Sequence, residues 1–198
     1  MIAIYRTQTI MSQNEKKERK KQYDKRLAKR LPYYAQDFKN IDFRKNPELY
    51  RIGVGEQGVL SVEPYKSEIG QYWRFKDVPI ATKSSKTILA MFRKYLREND
   101  FVGADMARKF LQMGWTRARR YANHKGGRKY KTNPQESASW TEEKTKRKTE
   151  LLPQAEDALT NEKAQAAAIF YDAYTKARTN TKYLKLKAAH KEEHERKI

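Results

Sequence analysis

Residues 53–63, GVGEQGVLSVE, decide between two kinds of fold. In a dinucleotide-binding unit the glycines close a strand and open a helix whose N-terminal amides hold a pyrophosphate. Here they are followed by a β-branched run, Val59-Leu60-Ser61-Val62, closed by Pro64. Leu60 and Val62 would share one face, which reads as a short strand and excludes the dinucleotide fold. A protein-kinase loop does lie between strands, but the chain has neither a catalytic-loop Asp motif nor an Asp-Phe-Gly. Gly53, Gly55 and Gly58 are therefore expected to shape a loop between strands over 49–52 and 59–63, with phosphate cradling as the alternative.

Working outward, residues 85–98 place Ile88, Leu89, Phe92, Tyr95 and Leu96 at helical spacing, with Ser84 or Ser85 as a cap. Residues 103–113 predict a second helix, with Met106, Phe110 and Met113 on one face and Gly114 where a left-handed C-terminal cap belongs. Thr116 would cap a short, basic third helix, giving the outline of a helix-turn-helix unit. The expected fold is α+β, a small antiparallel β element packed by three helices, over residues 32–131.

Residues 1–31 read as a basic flexible arm, because 12–30 are dense in Lys and Arg with almost no apolar side chain. Residues 132–152 have linker composition. Residues 153–198 predict a long accessory helix striped by Leu159, Ala166, Ile169, Phe170, Ala173, Tyr174 and Ala177. So thin a stripe is expected to dock on the main domain or to pair with another chain.

The 198 residues hold 44 Lys and Arg against 24 Asp and Glu, a formal net charge of +20. Nucleic acid is the first candidate partner, because each neutralised phosphate releases condensed counterions. There is no cysteine, which excludes a disulfide framework, a thiolate metal site and a cysteine nucleophile. The opening MIAIYRTQTI is broken by Arg6 and lacks a cleavage site, so no secretory leader is expected, and Met11 is a second candidate initiator. No run approaches the ~20 apolar residues of a membrane span. A cytoplasmic location is expected, in a host cell or a virion, with no membrane partner.

Residues 106–135 contain no acidic residue. Arg108, Lys109, Arg117, Arg119, Arg120, Lys125, Arg128, Lys129 and Lys131 fall there among Phe110, Trp115, Tyr121 and Tyr130, a mixture that grips phosphates and stacks bases. Arg117, Arg120 and His124 would line one cationic ridge of the third helix. The expected nucleic-acid interface is Arg117, Arg119, Arg120, Lys125, Arg128 and Lys129 for phosphates, with Trp115, Tyr121 and Tyr130 for stacking.

Other chemistries compete. Glu63, Lys66 and Glu68 resemble the carboxylates and lysine of a Mg²⁺-dependent nuclease, but their spacing departs from that pattern and surface ion pairing explains them as well. HKEEH at 190–194 matches an inverted zinc-protease motif, yet without a downstream third ligand it reads as a solvated helix end. No metal or other cofactor is expected. The readings that remain are a nucleic-acid-binding protein, a small metal-dependent enzyme acting on nucleic acid or nucleotides, and a structural or assembly protein of a phage particle. Expected partners are DNA or RNA, and a protein or second copy met through the C-terminal helix.

The blocks DFRKNPELYRIGVGEQGVLSVEPYKSEI, WRFK and DFVGADMARKFLQMGWTRARRYANHKGGRKY, over about 41–130, resemble the signature of domain-of-unknown-function family 4385. Members occur in bacteria, plants, fungi and tailed phages and are often labelled cytoplasmic proteins. The resemblance implies one compact intracellular domain and carries over no catalytic residue. It also implies that the arm and the C-terminal helix are additions of this branch.

Overall fold

The computed structural model describes residues 35–137 and 139–195, together with Tyr33, Glu18 and Lys21. The chain divides into one unit of residues 1–37 with Ile198 and another of Phe38–Lys197. The basic arm expected over 1–31 lies outside the described residues except for Glu18 and Lys21.

Asp77 stops one segment and starts the next: its carboxylate accepts the Ile80 amide at 2.8 Å and caps a 20-residue helix. The described residues of the second unit hold six α-helices: α1 (Tyr65–Gly70), α2 (Val78–Arg97), α3 (Phe101–Asn123), α4 (Trp140–Thr149), α5 (Glu162–Arg178) and α6 (Thr181–His190). Asp100, Asn161 and Asn180 cap α3, α5 and α6 in the same way. Helices α2, α3 and α5 pack on one another, and α1 and α6 close against α3. The core joins Ile88 and Phe92 of α2, Met106, Phe110 and Leu111 of α3, Phe170 of α5 and Tyr183 of α6.

The expected α+β fold is not what forms. Among the described residues there is no strand, and the β pairing consists of one isolated antiparallel bridge between Tyr130 and Leu151. The error lay in the period assigned to residues 59–62. Val59 and Val62 are buried while Leu60 is 61% exposed, so the apolar positions recur every three residues and not every two. The Ser61 and Val62 amides both donate to the Gly58 carbonyl, at 3.0 and 3.1 Å, folding this stretch into turns. Over 49–52 the expected strand is replaced by a 3₁₀ turn, Pro47–Leu49, followed by the fully buried Tyr50.

The expected helix-turn-helix is also absent, because α3 runs unbroken through Gly114. A Cβ built there would lie 2.3 Å from Cδ1 of Phe170. The glycine thus admits α5 to close contact instead of ending a helix. Thr116 is not a cap, and its hydroxyl bonds the Glu56 carboxylate. Ser84 and Ser85 are buried within α2, where Ser84 Oγ donates to the Tyr72 carbonyl at 2.7 Å.

Residues 132–152 are not wholly linker-like: α4 forms inside them on a Ser139 N-cap, with the Glu142 amide donating to Ser139 Oγ at 3.2 Å. Lys146 and Arg147 pair with Glu142 and Glu143 one turn back, at 2.8 and 2.6 Å. The stripe on α5 docks within the chain, with Ala166, Phe170, Ala173 and Ala177 buried. Leu159 precedes the helix and is 82% exposed.

Candidate nucleic-acid interface

The basic run from residue 106 onward splits into two populations along α3. Arg108 and Lys109, members of that run outside the expected interface, are buried around Asp105, itself fully buried. Arg108 Nε donates to Asp105 Oδ1 at 2.9 Å, and Lys109 Nζ lies 3.4 Å from Oδ2. The Tyr183 hydroxyl donates to Oδ1 at 2.6 Å, and the Tyr50 hydroxyl donates to Oδ2. Lys109 Nζ also reaches Tyr50 Oη at 2.9 Å and the Gln57 carbonyl at 2.7 Å.

This cluster joins three distant parts of the chain through groups that are costly to bury alone. Burial pushes the Asp105 carboxyl up, but the Arg108 and Lys109 charges and the two tyrosine hydrogen bonds outweigh it and hold the group well below the usual carboxylate range. Burial lowers the Lys109 ammonium below the ordinary lysine range, against the pull of Asp105. These two cations are engaged in the core and leave no surface for a ligand.

From Arg117 onward most of the remaining cations are exposed, Arg119 being the exception. At the end of α3, Gly126 and Gly127 take φ of +63° and +69° and reverse the chain, a conformation side chains with a Cβ resist. Arg120 Nε ties the reversal by donating to the Gly127 carbonyl at 2.6 Å. The following segment lies against the residues after α4: the Lys131 amide donates to the Glu150 carbonyl at 2.9 Å, and the Leu152 amide to the Lys129 carbonyl at 3.0 Å. A cleft of about 400 Å³ opens there, with Arg120, Arg128, Lys129, Tyr130, Lys131 and Arg147 in its wall. Among the described residues none that lines it is acidic. Among the described residues Arg120, Arg128, Lys129 and Lys131 have no carboxylate partner. Lys129 Nζ and Arg147 Cζ lie 5.5 and 5.8 Å from the Tyr130 ring centroid.

The structure therefore gathers four of the nine expected interface residues, Arg120, Arg128, Lys129 and Tyr130, into one site. Arg117 is exposed but lines a different hollow, with Glu56 and Met113. Arg119 is engaged internally, its Nη2 donating to Asn123 Oδ1 at 2.9 Å and to the Ala158 carbonyl at 2.6 Å. Lys125 is exposed on the reversal. His124 leaves the expected ridge: it is buried at the end of α3 with Nδ1 3.2 Å from the Pro153 carbonyl. Trp115 packs on Tyr171 and Tyr174 of α5, with centroids 4.9 and 5.9 Å away. Tyr121 is 41% exposed and sets its edge against Phe75.

Lys131 and Arg147 complete the cleft and were not assigned to it from sequence. Arg147 was legible in part, since Ser139 with Glu142 signals a helix start and Glu143 with Arg147 an i,i+4 pair. That this helix returns beside Tyr130 depends on backbone pairing far along the chain.

The competing residues are arranged otherwise. Glu63 bonds Lys66 Nζ at 2.9 Å and Ser67 Oγ at 3.0 Å. Glu68 receives both Nη atoms of Arg44, at 2.8 and 2.7 Å, and the Tyr95 hydroxyl at 2.9 Å. The Arg44 hydrogen bonds hold the Glu68 carboxyl below its ordinary range. Among the described residues no cluster of three His, Cys, Asp or Glu side chains could hold a metal ion. Gly55 and Gly58 take φ of +62° and +87° in the turns, whose Gln57 carbonyl receives Lys109. His190 is not on a solvated helix end, being buried with Nε2 3.0 Å from the Tyr50 carbonyl.

The chain belongs to the family described as a domain of unknown function (DUF4385), whose model matches residues 33–193. The match runs through α4, α5 and α6, so these helices are part of the family's domain and not additions of this branch. No curated protein and no solved structure matches the chain. No helix among the described residues is long and apolar enough to cross a membrane.

Proposed function

We propose that this member of the family binds nucleic acid, chiefly through phosphate contacts in the cleft between the end of α3 and α4. The observation that carries the reading is the acid-free wall of Arg120, Arg128, Lys129 and Lys131 around Tyr130. Cations whose charge is not already balanced by the protein gain most from meeting phosphates, because they release the counterions condensed there. A charge of +20 draws any polyanion, so the cleft and not the charge is the specific part of the proposal.

A salt titration of binding to single-stranded DNA, duplex DNA and RNA, with heparin as a plain polyanion, tests it. One nucleic acid should bind in preference to heparin, with affinity falling steeply as salt rises. Arg128→Ala with Lys131→Ala should weaken that binding and reduce the salt slope by about 0.7–0.9 for each phosphate that is no longer neutralised. Equal weak binding to all four polymers, or a slope unmoved in the double variant, would remove the cleft from the account.

A further inference from the structure

We propose that the cleft takes an unpaired strand in preference to a duplex, with a base stacked on Tyr130; this rests on the nucleic-acid reading above. Two observations point the same way.

The cleft is concave and, at about 400 Å³, falls within the size of small-ligand sites. A duplex, being a convex rod, would meet the cations on its rim without reaching Tyr130 or the buried Pro134 beside it in the wall. An unpaired nucleotide has a free base face and a flexible backbone, and can enter. Tyr130 is also held in advance of any ligand: it is half-buried, bridged to Leu151, and fixed on both sides by the Lys131 and Leu152 amide bonds. Lys129 and Arg147 both stand over this ring, and a base that stacks on it in place of one of these cations would find both beside its phosphates.

The experiment uses the full chain with a labelled oligothymidylate, a duplex of equal length and heparin, at matched salt. Wild type should bind the single strand tighter than the duplex. Tyr130→Leu should weaken single-strand binding about tenfold, leave duplex binding and the salt slope where they were, and be matched to wild type by its melting curve. Tyr130→Phe, which keeps the ring, should retain single-strand binding. Duplex binding equal to or stronger than single-strand binding in wild type overturns the proposal whatever the variants do. So does a Tyr130→Leu effect that is shared by both ligands or absent from both. If neither nucleic acid competes with heparin, the reading of the cleft itself fails, and this inference with it.

Discussion

Arg108 and Arg120 belong to one helix and one acid-free stretch of sequence, yet they meet opposite surroundings. Arg108, with Lys109, is drawn inward by Asp105 and by hydroxyls from Tyr50 and Tyr183, so its charge is compensated where water is excluded. Arg120 pairs with no carboxylate among the described residues, and with Arg128, Lys129 and Lys131 it stays at the surface around a cleft. The difference teaches that a basic run carries no single meaning. What a cation does is decided by where its counter-charge sits, and in this chain a single aspartate on the first turns of α3 divides structural cations from available ones.

The sharpest way to break the distinction is Asp105→Asn. Removing the carboxylate leaves Arg108 and Lys109 buried without compensation, and urea unfolding should show a loss of about 3–5 kcal/mol. A loss under about 1 kcal/mol would mean that the two cations reach solvent as readily as those of the cleft. Acid should act in the same direction. Because the folded-state pKa of Asp105 lies below that of the unfolded chain, the unfolded state takes up the proton first. The stabilisation is complete above the ordinary carboxylate pKa near ~3.9 and is lost as pH falls below it. Asp105→Asn should show a correspondingly weaker acid dependence.

Gly114→Ala comes next, with a loss of about 1–3 kcal/mol, because the new methyl meets the Phe170 ring in a packed core. Combined with Phe170→Leu the cost should be less than the sum of the two single losses; strict additivity would show that α3 and α5 do not meet there. Lys66→Ala, which removes a half-exposed partner from Glu63, should cost only about 0.2–1 kcal/mol in the same unfolding assay. The smallest effect on stability is expected from Arg128→Ala with Lys131→Ala, within about 0.5 kcal/mol. That pair should register in nucleic-acid affinity instead. Unfolding of the double variant comparable to that of Asp105→Asn would erase the contrast between the two populations.

Several elements were legible before any tertiary structure. The apolar spacing of Ile88, Phe92 and Tyr95 marks α2, and the stripe of Ala166, Phe170 and Ala173 marks α5, since a helix repeats its own face every turn. The absence of acid over 106–135 is visible in the sequence, and four residues of that stretch, Arg120, Arg128, Lys129 and Tyr130, line one cleft at the end of α3. Other positions misled for identifiable reasons. Val59 and Val62 are β-branched, so composition suggested a strand while their spacing suited turns. Gly114 has the look of a helix end, and nothing local reveals that Phe170 will arrive against it.

By itself, then, the sequence determined that the chain is strongly cationic and cysteine-free, that amphipathic helical patterns begin near residue 85 and return beyond 153, and that one stretch gathers cations and aromatics without acid. Those properties follow from composition and from periods of a few residues. Only the tertiary structure decided that Arg108 and Lys109 are interior, that α3 passes through its glycine unbroken, and that Lys131 and Arg147 close a cleft over Tyr130. Each depends on partners from tens of residues away, namely Tyr50 and Tyr183 at Asp105, Phe170 at Gly114, and Glu150 to Leu152 beside Lys129 to Lys131. Burial and electrostatic compensation are properties of neighbours in space, and a linear pattern records only neighbours along the chain.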